Sequence, residues 1–340
     1  MAAFNVSLPK LQIAIDRAWR DPIRNAQFVA HVDALRTQLE RQTITMPNNI
    51  TGSGKNAKQL TTTIYWLESC TNDTTSCSDE CVVATGEATD NSQDVTLSCL
   101  REAGFKEGYK RQRVSPHSLE ETIAFQMMLK MKALDEYLNS QYIAFLEANK
   151  GEHQYELPIG ADNGGDWEIP ASDWAAYGPA LMGELQLAAN LSQFTNPYML
   201  DGQNFWIQRF IAAQNAANAD GKGDNNLFNS MQWAVSDPIG MNNAGVGSKT
   251  YMINASAAAF VSGNFWDSVP KQMAGNHRVY KVASKNLPGI YYDVHEIEDC
   301  VSDDFILSIK MKAYGSFELN PLGCDTDVTG ILAFEKVAGI

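Results

Sequence analysis

One amphipathic segment of about thirty residues, set directly after a long polar stretch of strand-like sequence, constrains this chain more than any catalytic motif in it. Ser118-Leu119-Glu120-Glu121 opens the segment as a capping box, in which the hydroxyl and the carboxylate three residues on satisfy each other's orphan amides. Ile123, Met127, Met131, Leu134, Leu138, Tyr142 and Phe145 follow at steps of three and four, one apolar stripe down one face. Asn149-Lys150-Gly151 closes it, with a cation in the last turn and glycine where a left-handed cap is expected. At 1.5 Å per residue the rod is roughly 45 Å long, well beyond the usual three turns. The spacing predicts a backbone that spans a flat domain, not the wall of a pocket.

The 340 residues, 44% hydrophobic, suffice for one large domain or two to three sub-domains. A net charge of −14 argues against a surface that draws nucleic acid as a whole, and the sequence shows no basic groove. Met1 to Leu11 holds a single cation, Lys10, and no apolar run, so no signal peptide is expected. No stretch approaches the roughly 18 apolar residues of a membrane helix.

Residues 1–20 read as an arm carrying Lys10, Arg17 and Arg20. Asp21-Pro22 predicts a helix start, cap followed by proline, with a stripe of Phe28, Val32, Leu35 and Leu39. Residues 48–117 change character: Asn, Thr, Ser, Gly, Asp and Cys dominate. Leu60, Thr62, Ile64 and Trp66 alternate with Thr61, Thr63, Tyr65 and Leu67, a strand by period and β-branched content. Val95, Leu97 and Cys99 mark the returning strand of a long two-stranded excursion. Such a ribbon is marginal in water without a partner surface. Beyond the long helix, residues 152–173 read as a loop rich in Gly, Asp and Trp. Gly178-Pro179 opens a helix with Leu181, Leu185 and Ala188 inward, and Trp206, Phe210 and Ala213 mark another. A strand is expected at Thr250 to Asn254. Phe305, Leu307, Ile309, Met311 and Ala313 give the cleanest period-two run, with Ile290 to Ile297 and Ile331 to Val337 as expected neighbours. The order is α+β.

The search for chemistry finds no catalytic residues, no cofactor site and no metal site to assign. Gly52-Ser53-Gly54-Lys55 resembles the end of a phosphate loop, but Asn49 and Asn56 stand where glycine and Ser or Thr are needed. Asp220, Lys222 and Asp224 fall short of a calcium loop. His295-Glu296 lacks the second histidine of a zinc protease. His31, His117, His153, His277 and His295 are scattered and read as structural or surface residues, and Trp206 and Trp266 as core. Cys70, Cys77, Cys81 and Cys99 lie close together and leave three readings open: zinc, disulfides, or free thiols. The disulfide reading pairs Cys70 with Cys99 across the base of the ribbon and Cys77 with Cys81 at its tip. Cys300 and Cys324 bracket the last sheet as a further candidate pair.

This order and these lengths resemble the Hong Kong 97 fold of the major capsid proteins of tailed bacteriophages, and Leu287-Pro288-Gly289-Ile290-Tyr291-Tyr292-Asp293-Val294 is similar to segments of such proteins. The resemblance implies an N-terminal arm and helix at 1–42, an extended two-stranded loop at 43–117, and a spine helix with its following loop at 118–170. An axial domain at 171–275 and a returning peripheral-domain sheet at 276–340 complete it. It further implies a non-enzymatic subunit of an icosahedral shell of pentamers and hexamers around phage double-stranded DNA. Ile64, Trp66, Val95 and Leu97 would meet the neighbouring subunit, and Lys10, Arg17, Arg20 and Arg24 would face the DNA. A portal, a separate scaffolding protein and cement proteins are the implied partners, no membrane is involved, and the location is the virion, with the host cytoplasm during assembly. Lys55 and Lys58 lie where some members place a cross-linking lysine, but no partner asparagine is marked and no such bond is expected. Two rival classes are another virion component, such as a tail protein or jelly-roll capsid, and a soluble carbohydrate-binding protein or hydrolase using the loop Asp162 to Trp174.

Overall fold

The computed structural model describes residues 7–21, 25–41, 50–51, 60–68, 89–153, 155–194, 197–202, 205, 208, 232–235, 248–254, 257–273, 275–301, 304–319 and 329–338. The expected arm is a helix, α1 (Leu8–Arg20), which buries Leu11 and Ile15 and leaves Lys10, Arg17 and Arg20 exposed. Helical hydrogen bonds do begin at Asp21, whose carbonyl accepts from the Asn25 amide at 2.8 Å, and the next helix among the described residues is α2, Asp33–Arg41. Phe28 and Val32 are buried ahead of it all the same. The turn ends at Val29, where tertiary partners take over: Phe28 meets Phe125 edge-on at 5.2 Å, and the Ala30 amide donates to Asn286 Oδ1 at 3.1 Å.

Two short or ribbon-forming strands come next, β1 (Ile50–Thr51) and β2 (Leu60–Glu68), followed by the 20-residue β3 (Thr89–Gly108) and a single turn of helix, α3 (Tyr109–Arg113). The long helix is α4 (Leu119–Ala148), with the capping box formed as the sequence predicts. Its buried face is wider than one stripe and takes in Ala124, Met128, Ile143 and Leu146. The left-handed glycine cap does not form. Asn149 Nδ2 donates to the Phe145 carbonyl at 2.8 Å instead, and the Gly151 amide donates to Ile331 O at 2.9 Å. The helix end is thereby tied to a strand.

The remaining elements are β4 (Ala161–Asn163), β5 (Asp166–Pro170), α5 (Ala171–Tyr177), α6 (Leu181–Leu191), β6 (Pro197–Asp201), β7 (Gln232–Val235), β8 (Ser248–Asn254) and β9 (Ala258–Asn264). Then follow β10 (Lys271–Gln272), β11 (His277–Ala283), β12 (Tyr291–Val301), β13 (Asp304–Leu319) and β14 (Ile331–Val337). Residues 161–174, read as a loop, are a hairpin and helix whose Trp167 and Trp174 are buried, so the candidate carbohydrate loop is spent on packing. Trp266 is half-buried rather than core, and Trp206, Phe210 and Ala213 lie outside the described residues.

The first sheet runs β1-β9-β13-β12-β11-β10, and β3 pairs antiparallel with β13. Its inner face, Leu307, Ile309, Met311, Ala313, Tyr292 and Val294, packs with α4, α1 and α2 into one core. The second sheet runs β4-β5-β14-β8-β6-β7. It is buried on both faces. Tyr198, Leu200, Tyr251, Ile253, Ile331 and Ala333 enter the core shared with α4, while Met199, Met252, Leu332 and Phe334 pack with α5 and α6. Hence Ile331 to Val337 neighbours β5 and β8, not the period-two strand, and continuous apolar runs such as Ile331-Leu332-Ala333-Phe334 replace alternation. The sheets also cut across the expected boundaries at 170 and 275: β4, β5 and β14 join the second sheet, and β9 joins the first.

Candidate functional site

The chemistry of this fold lies along α4. Four polar side chains on its buried side each hold a different part of the chain. Asp135, fully buried, accepts from Ser284 Oγ at 2.8 Å, from Asn286 Nδ2 at 2.8 Å and from the Tyr292 hydroxyl. Burial pushes its carboxyl up from 3.8 to about 6, against the pull of those three donors. Asn286 extends the knot: its Nδ2 also reaches Phe28 O, and its carbonyl accepts from Arg36 Nε at 3.1 Å. Pro288-Gly289 makes this possible by turning the chain tightly, with Gly289 at φ +75°.

One turn on, Asn139 Oδ1 accepts from the Leu35 amide at 2.9 Å, satisfying one of the orphan N–H groups at the start of α2. Tyr142 donates to Gln38 Oε1 at 2.9 Å and lies 2.8 Å from the Tyr198 hydroxyl, while Gln38 Nε2 donates to Ala258 O. At the helix end, Glu147 accepts from Lys150 at 2.9 Å, from Lys249 at 2.7 Å and from the Tyr251 hydroxyl. Lys249 continues to Asp166 at 2.9 Å and Glu335 at 3.5 Å. Burial raises the Glu147 carboxyl, but the Lys150, Lys249 and Tyr251 hydrogen bonds outweigh it and hold it at about 2. This arrangement takes its hydrogen-bond partners from within the chain. It locks α2, the 284–290 turn and the second sheet onto one rod. Asp135, Asn139 and Gln38 were missed by a search for apolar stripes; their signal is a polar residue at a stripe-adjacent helical position.

The second feature is the ribbon. β2 pairs antiparallel with β3 from Leu60↔Leu97 to Glu68↔Thr89, and β3 then continues along β13 from Ser98 to Gly108. One strand therefore belongs half to the body and half to the excursion. Among the described residues, β2 and the Thr89–Leu97 half of β3 have each other as their ladder partners. At about 3.3 Å per residue the paired part is roughly 30 Å long.

Val95 and Leu97 are not where an intersubunit contact needs them. Both are buried against Ala259 and Val261 of the same chain, with Phe265 and Tyr314 beside them. The ribbon's base is thus anchored in its own body. Ile64 and Trp66 lie in β2, and their side chains are outside the described residues.

The cysteine pairing across the ribbon base is corrected. Cys99 is a free, exposed thiol whose S–H lies 3.8 Å from Arg101 O. The register explains this: Glu68 faces Thr89, about 33 Å along β3 from Cys99, and Cys70 is only two residues, roughly 7 Å, beyond Glu68. A disulfide needs Cα atoms within about 7 Å. Cys300 is likewise free and exposed rather than paired with Cys324. Cys70, Cys77, Cys81 and Cys324 lie outside the described residues, as do Gly52 to Lys55, Lys58, Asp220 to Asp224 and Arg24. Of the arm cations, Arg17 reaches Glu121 at 3.9 Å on the surface.

His153 sits between Trp167, tilted at 5.3 Å, and Phe334, edge-on at 5.3 Å, and bonds Ala333 O at 3.0 Å, a structural role. His277 and His295 stack and share a 3.1 Å hydrogen bond on the outer face of the first sheet. Among the described residues, no group of three or more His, Cys, Asp and Glu side chains is placed to hold a metal, and no helix is long and apolar enough to cross a membrane.

No protein-family model and no curated protein matches the chain. Among solved structures it is similar to the cyanophage A-1(L) capsid asymmetric unit, at 13% identity and a TM-score of 0.48, over 89% of this chain and 93% of that one. The bacteriophage PhiM1 mature capsid matches at 11% identity and a TM-score of 0.47, over 85% of each chain. The capsid of cyanophage P-SCSP1u matches at 12% and 0.46, over 86% of this chain and 85% of that one.

Proposed function

We infer that this chain is the structural major capsid protein of a tailed bacteriophage, built on the Hong Kong 97 fold, whose copies close as pentamers and hexamers into a shell around double-stranded DNA. The observation that carries the reading is the shared strand β3, whose Val95 and Leu97 anchor the base of the ribbon in its own body, while Thr89–Asp94 runs roughly 20 Å beyond them. A two-stranded ribbon is marginal alone, so its free half gains most by lying on a neighbouring copy. Repeated head to tail, that contact is heterologous and closes into rings. The rod α4, keyed by Asp135, Asn139, Tyr142 and Glu147, gives such a contact a rigid base.

In this reading the subunit's work is mechanical, not catalytic. It would be found in the virion, after assembly in the host cytoplasm with a portal and a separate scaffolding protein, and cement proteins would bind outside. Buried area summed over several neighbours should exceed the roughly 1,600 Å² of a standard interface.

The test spares the anchor. Replacing residues 63–94 by Asn-Gly joins Thr62 to Val95 through a two-residue hairpin turn and keeps Leu97 in place. The shortened chain is expected to fold, with a cooperative thermal melt and the helical far-UV signal retained, and to form no closed shells under the electron microscope. Normal shells from it would remove the ribbon from assembly and defeat the reading.

A further inference from the structure

The first sheet has two faces of different chemistry, because alternate residues of a strand point opposite ways. Leu307, Ile309 and Met311 meet the core, and the residues between them turn outward. Over β3 and β13 this outer face is open: Glu102, Gly104, Lys106 and Lys310 are all exposed. The ladder arranges it as a grid. His295, Lys310 and Gly104 form one row, Ile297, Ser308 and Lys106 a second, and Asp293, Lys312 and Glu102 a third, with Lys281 beyond Asp293. The middle row sinks into a shallow trough walled by Lys106, His295, Lys310 and Lys312. Gly104 forms its floor, where a Cβ would come within 2.8 Å of Ile309 O.

The charges do not cancel. Glu102 is held by Lys310 at 3.1 Å. Asp293 is buried beneath the surface, accepting from the Phe265 amide at 2.8 Å and from Asn264. Burial, then Lys312, His277 and Lys310, push the His295 imidazole down to about 4, so it is neutral near pH 7 and registers the surrounding cations. On a chain of net charge −14, a trough rimmed by Lys106, Lys310 and Lys312 against Glu102 is a local inversion. Lys281 beyond it is offset by Asp293 and Asp267, and exposed Asp299 lies one row past Ile297.

The geometry points to this face as a seat for the phosphodiester backbone of duplex nucleic acid, held without reading its sequence. The inference rests on the capsid reading for its biological setting. Lysines are compact point charges suited to phosphate, and Lys310 and Lys312 repeat about 6.7 Å apart along one strand. An added peptide strand finds no purchase over β13, whose backbone is already paired with β12 on one side and β3 on the other.

The experiment uses the full-length, unassembled chain and a 30-base-pair duplex of mixed sequence, with fluorescence anisotropy read across a salt series. Wild type is expected to bind with a steep salt dependence. The combined Lys106→Gln, Lys310→Gln and Lys312→Gln variant should flatten the log–log slope by about 2 to 3, and Lys106→Gln alone by about 1. Lys10→Gln, Arg17→Gln and Arg20→Gln together test the arm as the competing seat and should flatten the slope by less than the sheet variant does. The sheet substitutions remove one exposed ion pair, so thermal melting should match wild type, and Lys106→Gln alone decides the matter if the triple variant melts early. Absent duplex binding, or a loss confined to the arm variant, overturns the proposal. So does unchanged duplex binding alongside lost binding of a polyglutamate peptide, which would assign the face to an acidic polypeptide. Shell formation is scored separately: wild type that binds duplex as expected yet forms no shells defeats the capsid reading and leaves this site standing.

Discussion

Asp135 is the residue on which the 284–286 turn and β12 converge, and its ionisation carries a measurable consequence. Its carboxyl is raised from 3.8 to about 6 by burial, so the folded state holds the proton more tightly than the unfolded chain. The resulting stabilisation is complete below about pH 4 and is lost as pH climbs through 6, at roughly 1.4 kcal/mol per pH unit of that window. Asp135→Asn lacks this dependence. Its stability relative to wild type, from urea melts of the unassembled chain, should rise by about 2–3 kcal/mol between pH 4 and pH 7. A difference that stays flat with pH would contradict the assignment. Glu147 runs the other way: held at about 2, it stabilises the fold above about pH 4.5 and releases it as pH falls toward 2. At this scale the sequence was least legible. Asp135, Asn139 and Gln38 look like ordinary solvated residues until tertiary partners, Tyr292, Leu35 and Tyr142 among them, are brought to them across long separations. Lys106, Lys310 and Lys312 are likewise scattered in the chain and gathered only by strand pairing.

The elements were far easier to read, and where reading failed the reason is specific. Capping box and apolar stripe gave α4 both its start and its core face, because both signals are local. Period two gave β13 and β12, since their outer face is wet and their inner face dry. Continuous runs gave β14 no partner, because a strand buried on both faces loses its alternation. The helical spacing of apolar residues runs on past the turn at 25–28, yet residues 29–32 reach α2 without helix, the Ala30 amide donating to Asn286 Oδ1 instead. Two predictions belong here. Leu138→Ala, at the fully packed middle of α4, should cost about 2–5 kcal/mol in unfolding free energy measured by denaturant melts; a cost under about 1 kcal/mol would mean the rod is not packed as described. Cys99, kept apart from Cys70 by the ribbon register, should be alkylated by iodoacetamide in unreduced protein and identified by mass spectrometry. A Cys70–Cys99 linked peptide would contradict the register.

At the scale of the whole molecule, two sheets share one core along a single rod, and a strand that begins in that core continues out as a ribbon. The sequence order made this layout legible, but its boundaries did not follow, because β9 and β14 cross between the sheets that the linear chain suggests. The body buries its own core, while in the proposed reading the ribbon's outer half is completed by a neighbour. The central claim is therefore that the purified chain assembles. Electron microscopy of the full-length protein, concentrated with or without its scaffolding partner, tests this most directly: the account expects closed icosahedral shells, and a population of compact monomers that never closes would contradict it.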